Sequence, residues 1–237
     1  SIYAQLIKTE TALENHYKDM QDIEFTIQEG KLWMLQTRSA KRTGAALVRT
    51  SMEMLAQGMI DEKTALMRVT PDRLNELLHP VFDRSAIKSA KVIAKGLPAS
   101  PGAATGQVVF FADEAEEWVA KGKQVILVRQ ETSPEDLRGM AVAKGILTAR
   151  GGMTSHAAVV ARGMGKCCVS GAGAVRVDPK SRKMTVEGKV YNEGDWISLD
   201  GSTGRVYEGQ VPTSDPDLSG DFGKLMTLAD KFKRLAI

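Results

Sequence analysis

One histidine stands where covalent chemistry is possible. The run Gly145-Ile146-Leu147-Thr148-Ala149 reads as a buried strand, and Gly151-Gly152-Met153-Thr154-Ser155-His156 follows it directly. Two glycines permit a tight turn with unusual backbone angles. Thr154 or Ser155 has the side chain to cap a helix. The alanine- and valine-rich segment after them reads as a short helix, closed by Gly163 or Gly165. His156 then falls in the first helical turn, where the dipole and unpaired N–H groups attract anions, phosphate above all. Two readings stand side by side. In one, His156 is a polar residue satisfied by capping bonds. In the other it is a nucleophile that takes up a phosphoryl group, because a neutral imidazole is nucleophilic near physiological pH. The phosphate would face the amides of Gly152 and the helix, and the hydroxyls of Thr154 and Ser155. Arg162 reads equally as a phosphate contact or as a surface ion pair.

A second polar constellation lies near the N-terminus. Asp22 and Glu24 are two apart in the alternating run Asp22-Ile23-Glu24-Phe25-Thr26-Ile27, so they share one face of a strand. Gln28-Glu29-Gly30-Lys31 is a turn signal, and Leu32–Arg38 reads as the returning strand of a hairpin. Gln36 and Arg38 again share a face. Two carboxylates and an amide oxygen suit Mg²⁺, and a guanidinium suits phosphate oxygens. The same four residues also fit a plain solvated sheet face.

The elements around these groups divide the chain. An amphipathic helix is expected over Leu6–Asp19. Residues 40–95 read as helical, with Gly58 as a stop, Asp61 as a cap and Thr70-Pro71 as a helix start. The lysine-rich connector 85–95 is expected to be exposed. From Gly96 the pattern turns to strands and helices: Val125–Val128 and Gly145–Ala149 are continuously apolar, as buried strands are. Ser133-Pro134 opens a helix, and β-rich segments follow up to Tyr207. This places His156 at the carboxyl end of a buried strand, the edge that ligand sites prefer in α/β sheets. Residues 212–220 read as a linker and 222–237 as an amphipathic helix. His16 and His79 are expected to be passive packing or surface groups.

The bulk properties narrow the classes of function. The 237 residues carry a formal net charge of +3. No basic cluster is interleaved with aromatics, so nucleic-acid binding is not suggested. No apolar run approaches the roughly 20 residues needed to span a membrane. The N-terminus lacks the pattern of a signal peptide. The two cysteines, Cys167 and Cys168, are adjacent, a spacing that rarely bridges; they read as small strand residues in a reducing compartment.

The run GGMTSHAAVVARGMG resembles the phosphohistidine signature of the phosphoenolpyruvate-utilising enzymes, in the wording of the pyruvate phosphate dikinases. The likeness extends upstream to LPASPGAATG and ETSPED and downstream to DWISLDGSTG, and QDIEFTIQEGKLWMLQTR resembles the last hairpin of the dikinase ATP-grasp domain. It covers essentially the whole chain. The resemblance implies a mixed α/β, multidomain chain: the C-terminal end of an ATP-grasp domain at 1–40, a helical subdomain and linker at 41–95, a swivelling β/β/α phosphohistidine domain at 96–211, and a linker and helix at 212–237. It implies that His156 carries a phosphoryl group on its tele nitrogen between an ATP site and a pyruvate site, with 85–95 and 212–220 as hinges. Glu24 and Gln36 would hold the nucleotide's Mg²⁺, Asp22 would assist, and Arg38 would touch phosphate. The partners implied are ATP, inorganic phosphate and pyruvate or phosphoenolpyruvate, within a homodimer of the cytoplasm or a chloroplast, not a secreted protein. Most of the nucleotide site and the pyruvate-binding barrel have no counterpart here, so an excised piece without turnover of its own is expected. Thr154, two residues before His156, is either a helix cap or, as in plant dikinases, a phosphorylation switch. A phosphoenolpyruvate synthase and a non-catalytic module with the same fold are the rival expectations.

Overall fold

The computed structural model describes residues 1–235. The chain divides into two compact units, one built from Ser1–Leu77 and the stretch from Asp217 on, the other from Leu78–Pro216.

The first unit opens with α1 (Ile2–Tyr17), capped by the Ser1 hydroxyl and ended at Lys18 in the left-handed conformation. The hairpin β1 (Gln21–Gln28) and β2 (Lys31–Ser39) follows. Its turn residues Glu29 and Gly30 both have positive φ, 50° and 71°, as a tight two-residue hairpin turn requires. Three helices come next: α2 (Gly44–Ala56), α3 (Glu62–Arg68) and α4 (Pro71–Glu76). Asp61 caps α3 through a 2.7 Å bond from the Thr64 amide. Met54, Ile60 and Ala65 form an apolar core here with Leu228, from the helix that closes the chain.

Between β1 and the helices of this unit, Asp19 accepts two bonds from Arg42, at 2.7 and 2.9 Å, and lies 3.5 Å from Arg68. Burial pushes the Asp19 carboxyl up, but the Arg42 bonds and the charges of Arg42 and Arg68 outweigh it and hold it below its ordinary value. A depressed carboxyl stabilises the fold above its unfolded pKa, near 4, and that contribution is lost as pH falls through the lower folded value. Following the Asp19 carboxyl carbon by NMR should therefore give a midpoint below the ordinary carboxylate range. Arg42→Ala should move the midpoint upward and lower the unit's stability near neutral pH, a deficit that shrinks as pH falls because the Arg42-dependent contribution is lost in acid in any case.

The second unit is a three-layer β/β/α structure. It begins with β3 (Val81–Phe82), α5 (Arg84–Ser89), β4 (Val92–Lys95), β5 (Leu97–Ser100) and β6 (Ala103–Val109). Then come α6 (Ala112–Ala120), β7 (Val125–Arg129), a 3₁₀ turn (Pro134–Asp136), α7 (Leu137–Val142), β8 (Gly145–Thr148), α8 (His156–Gly163) and β9 (Cys167–Ser170). The strands β10 (Val175–Asp178), β11 (Lys183–Val186) and β12 (Lys189–Asn192) form a separate antiparallel sheet. The unit ends with β13 (Trp196–Asp200), β14 (Arg205–Glu208) and β15 (Thr213–Ser214), which pairs with β3. The central sheet has eight strands in the order β4-β14-β13-β6-β7-β8-β9-β5. Within it β6, β7, β8 and β9 run parallel. The chain then returns to the first unit as α9 (Gly220–Phe232).

Period-two alternation divides the core. Val108, Ile126, Val128, Leu147 and Val169 point to the layer of β10–β12, meeting Val175, Met184 and Tyr191. Their neighbours Val109, Val125, Leu127, Ile146 and Cys168 point to the helices, meeting Ala115, Met140, Ala157, Ala158 and Ala161. The small alanines of α8 let the helix lie close on the sheet. Both cysteines are free and buried, one in each of these two layers. Burial raises both thiols, that of Cys168 to about 12, so neither is ionised at neutral pH.

The structure corrects several expectations. Residues 85–95 are not an exposed connector, because α5 and β4 lie there and Ile93 and Ala94 are buried in the core. The chain passes between the units at Leu77–Leu78 instead, and again at Pro216–Asp217. The strand-poor reading of 40–95 fails for the same reason: β3 and β4 are short strands paired with distant partners, β15 and β14. The closing helix begins at Gly220 and ends at Phe232. Lys233–Leu235 are not helical, and the last two residues of the expected helix lie outside the described residues.

Candidate functional site

Two adjacent parallel strands build the site. β7 and β8 are paired in register, with Arg129 opposite Thr148. The pairing continues past their ends through the Ala149 N–H to Arg129 O (3.1 Å) and the Arg150 N–H to Gln130 O (2.9 Å). The loops that leave these two carboxyl ends therefore start side by side. One carries Thr132, and the other carries His156. The Thr132 hydroxyl lies 3.0 Å from His156 Nδ1. Among the described residues no bond is made to His156 Nε2.

Each loop is held by its own buried network. In the first, Asp136 is 3% exposed and accepts from Arg129 Nε at 3.2 Å and from the Ser133 amide at 2.9 Å. Arg129 also donates to Phe110 O at 2.9 Å. This fixes the turn that presents Thr132. In the second, Ser155 is the helix cap: its hydroxyl accepts from the Ala158 amide at 3.4 Å and lies 3.3 Å from the Ser170 hydroxyl. Ser170, at the end of β9, also donates to Gly151 O at 3.2 Å and accepts from the Thr148 hydroxyl, likewise at 3.2 Å. Gly151 has φ +112°, and a Cβ there would sit 2.9 Å from the Ser155 Cβ. That conformation and that space belong to glycine alone.

His156 is half-buried and is the first residue of the eight-residue α8, so it belongs to the helix turn whose amides are unpaired and whose end is positive. Gly152, Met153 and Thr154 are exposed in the turn before it. Thr154 is not the cap, because Ser155 occupies that position. Gly152 has open space around it and no positive φ. Arg162 is not in a surface ion pair among the described residues. Its guanidinium folds back to Ala158 O, 3.1 Å from Nε, and to Met153 O, tying the turn to the helix. Glu135, on the neighbouring loop, is exposed; the Ser133 hydroxyl foremost, with the field of His156 as a lesser cause, keeps its carboxyl below the ordinary range.

The hairpin constellation forms in the first unit. Asp22 is paired across the strands with Arg38, and Glu24 with Gln36, so all four lie on one exposed face. Arg38 Nε donates to Asp22 at 2.8 Å. Asp22 is thus already engaged by the arginine, which leaves the Glu24 carboxylate and Gln36 amide as the freer oxygens. Among the described residues no cluster of three or more His, Cys, Asp or Glu is placed to hold a metal ion. Two carboxylates and one amide oxygen fit Mg²⁺ only when other ligands, such as nucleotide phosphates, complete its shell. Sequence reasoning missed Thr132, Ser170, Thr148 and the Arg129–Asp136 pair. The motif Glu131–Asp136 marks the first loop, but only strand adjacency shows that it reaches His156.

The geometry is that of a histidine at the start of a helix that leaves the carboxyl end of a parallel strand. Residues 121–204 match the family described as "PEP-utilising enzyme, mobile domain". Residues 2–59 match "Pyruvate phosphate dikinase, AMP/ATP-binding domain". Pyruvate, phosphate dikinase 2 of Oryza sativa subsp. japonica is 56% identical over 99% of this chain and 26% of its own length. The dikinase of Rhizobium meliloti (strain 1021) is 54% identical over 99% of this chain and 26% of its own length. That of Clostridium symbiosum is 52% identical over 99% and 27%. The chain belongs to the pyruvate, phosphate dikinase family, and it spans about a quarter of the length of these relatives. Some relatives are chloroplastic by name, such as that of Mesembryanthemum crystallinum. Among the described residues no helix is long and apolar enough to cross a membrane.

Proposed function

We propose that this chain is the phosphoryl-carrying part of a pyruvate, phosphate dikinase, with His156 as the nucleophile. The observation that carries the reading is the Thr132–His156 contact at the start of α8. With the Nδ1 proton donated to the Thr132 hydroxyl, the Nε2 lone pair faces outward as the nucleophile. Nε2 attacks the β-phosphorus of ATP, the bond from that phosphorus to the α-phosphate oxygen breaks, and AMP leaves. An oxygen of inorganic phosphate then attacks the γ-phosphorus, the bond from that phosphorus to the oxygen of the histidine-bound phosphoryl breaks, and diphosphate leaves. The enolate oxygen of pyruvate then attacks the phosphohistidine phosphorus, the P–N bond breaks, and phosphoenolpyruvate forms. The phosphoryl oxygens on Nε2 would be met by the first amides of α8 and by Gly152, Thr154 and Ser155. Arg162 acts by holding the Met153 carbonyl rather than as a direct phosphate ligand.

On the hairpin, Glu24 and Gln36, with Asp22 beside them, would bind Mg²⁺ together with the nucleotide phosphates, and Arg38 would lie alongside a phosphate. The ion, when bound, neutralises charge on the transferring phosphates. One histidine that serves a nucleotide site and a pyruvate site has to travel, and the crossings at Leu77–Leu78 and Pro216–Asp217 are the places for the hinge. The substrates, the ion, the homodimer and the movement belong to the whole enzyme. The 237-residue chain alone is not expected to turn over.

The chain itself permits a direct test of the nucleophile. Incubation with phosphoramidate, a small P–N phosphoryl donor, should place one acid-labile, base-stable phosphoryl group on Nε2 of His156, ahead of His16 and His79. Thr132→Val should slow that step about fivefold, the size of one lost hydrogen bond near 1 kcal/mol, and should shift its pH profile. Equal labelling of all three histidines, or labelling at Nδ1, would count against the reading.

A further inference from the structure

The sheet edge opposite His156 holds a basic cavity. Ala103, Val125, Gly145 and Cys167 begin the four parallel strands, and the residues just before or at those starts line a space of about 260 Å³. Lys144 and Lys166 face it, together with His79, Gln124 and the exposed Asp215. His156 follows the carboxyl end of β8, so a full strand length separates it from this cavity, roughly 13 Å for four residues.

Lys166 is the informative group. It is half-buried, and among the described residues its ammonium makes one bond, to Ala143 O at 3.0 Å. Burial, and then the charge of Lys144, hold it below the ordinary lysine value. Lys144, which lines the same cavity, is thus a second cation acting on it. A half-buried ammonium beside a second one, with a single neutral acceptor, is costly unless an anion sits between them. The wall offers two lysines against one carboxylate, and that carboxylate is exposed. His79 is held in the cavity by close packing: a Cβ on Gly102 would come within 3.2 Å of the His79 Cβ.

We propose that this cavity binds a small phosphate-type oxyanion, held by Lys144 and Lys166, with Gln124 and His79 at its rim. Two ammonium groups are compact point charges that match a doubly charged tetrahedral anion better than a single carboxylate. The site is independent of phosphoryl transfer at His156. It lies where the chain enters and leaves the second unit, since His79 and Asp215 are each within two residues of a crossing.

The test is a titration of the 237-residue chain with inorganic phosphate at constant ionic strength, followed by amide ¹H–¹⁵N spectra. Saturable shifts are expected at Gly102, Lys144, Gly165 and Lys166, and they should persist in His156→Asn. Lys166→Gln and Lys144→Gln should each weaken the affinity about tenfold or more, the effect of one charge-assisted hydrogen bond. Lys144 is exposed, so its variant does not threaten the fold. Shifts that never saturate, that survive both substitutions, or that acetate reproduces at equal ionic strength would overturn the proposal.

Discussion

Replacing His156 by Ala is expected to remove phosphoryl uptake altogether, a loss of about five to six orders of magnitude or down to the assay's floor. No other group near the helix start offers a neutral nucleophilic nitrogen. The loss should come without unfolding. His156 is only half-buried, and alanine is a good helix former at that position. The cost in stability should stay below about 1 kcal/mol. Thermal unfolding of the two proteins should therefore nearly coincide while their phosphorylation differs completely. A His156→Ala protein that still accepted the label would place the nucleophile elsewhere.

The second large effect is expected at Gly151. Its φ of +112° is closed to residues with a Cβ, and the added carbon would press on Ser155 and on the Ser170 hydroxyl, 3.1 Å away. Those two serines are the cap of α8 and its link to β9. Gly151→Ala should destabilise the second unit by about 2–3 kcal/mol, from backbone strain and contact together. For a domain of this size that lowers Tm by about 5–10 °C. Misplacing the His156 turn by an ångström should also cut phosphoryl uptake about 100-fold. Gly152→Ala is the matched control for stability. It has no positive φ and no atom within 4 Å of a new Cβ, so its Tm should hardly move. Equal destabilisation by the two substitutions would show that the turn is not held as described.

Several of these features are legible in the residues alone, and the reasons are local. The hairpin shows because alternation and a Glu-Gly turn are short-range signals, and the observed register pairs Asp22 with Arg38 and Glu24 with Gln36. The buried strands β7 and β8 show as unbroken apolar runs. β5 does not, because Pro98 looks like a breaker. It is tolerated because β5 is the edge of the sheet, where a missing N–H faces no partner strand. β4 hides for a related reason: its lysine-flanked sequence reads as an exposed connector, yet it is the opposite edge strand and its inner residues are buried. The nucleophile candidate is legible as well, since glycine, cap and helix lie together around His156. Its partner Thr132 is not. Those two residues are 24 apart, and only the parallel pairing of β7 with β8 brings their loops together. The inward fold of Arg162 onto the Met153 carbonyl is likewise a matter of rotamer and packing, which spacing cannot express.

Whether His156 carries a phosphoryl group from ATP is open to direct test. The most direct measurement grafts this chain into the Clostridium symbiosum dikinase in place of its equivalent quarter and supplies ATP labelled at the β-phosphate. The unaltered relative serves as the positive control. The prediction is acid-labile, base-stable label on Nε2 of His156, discharged to phosphoenolpyruvate on adding pyruvate and absent from the His156→Ala graft. A folded graft that binds ATP but leaves His156 unlabelled, or keeps the label when pyruvate is added, would contradict it.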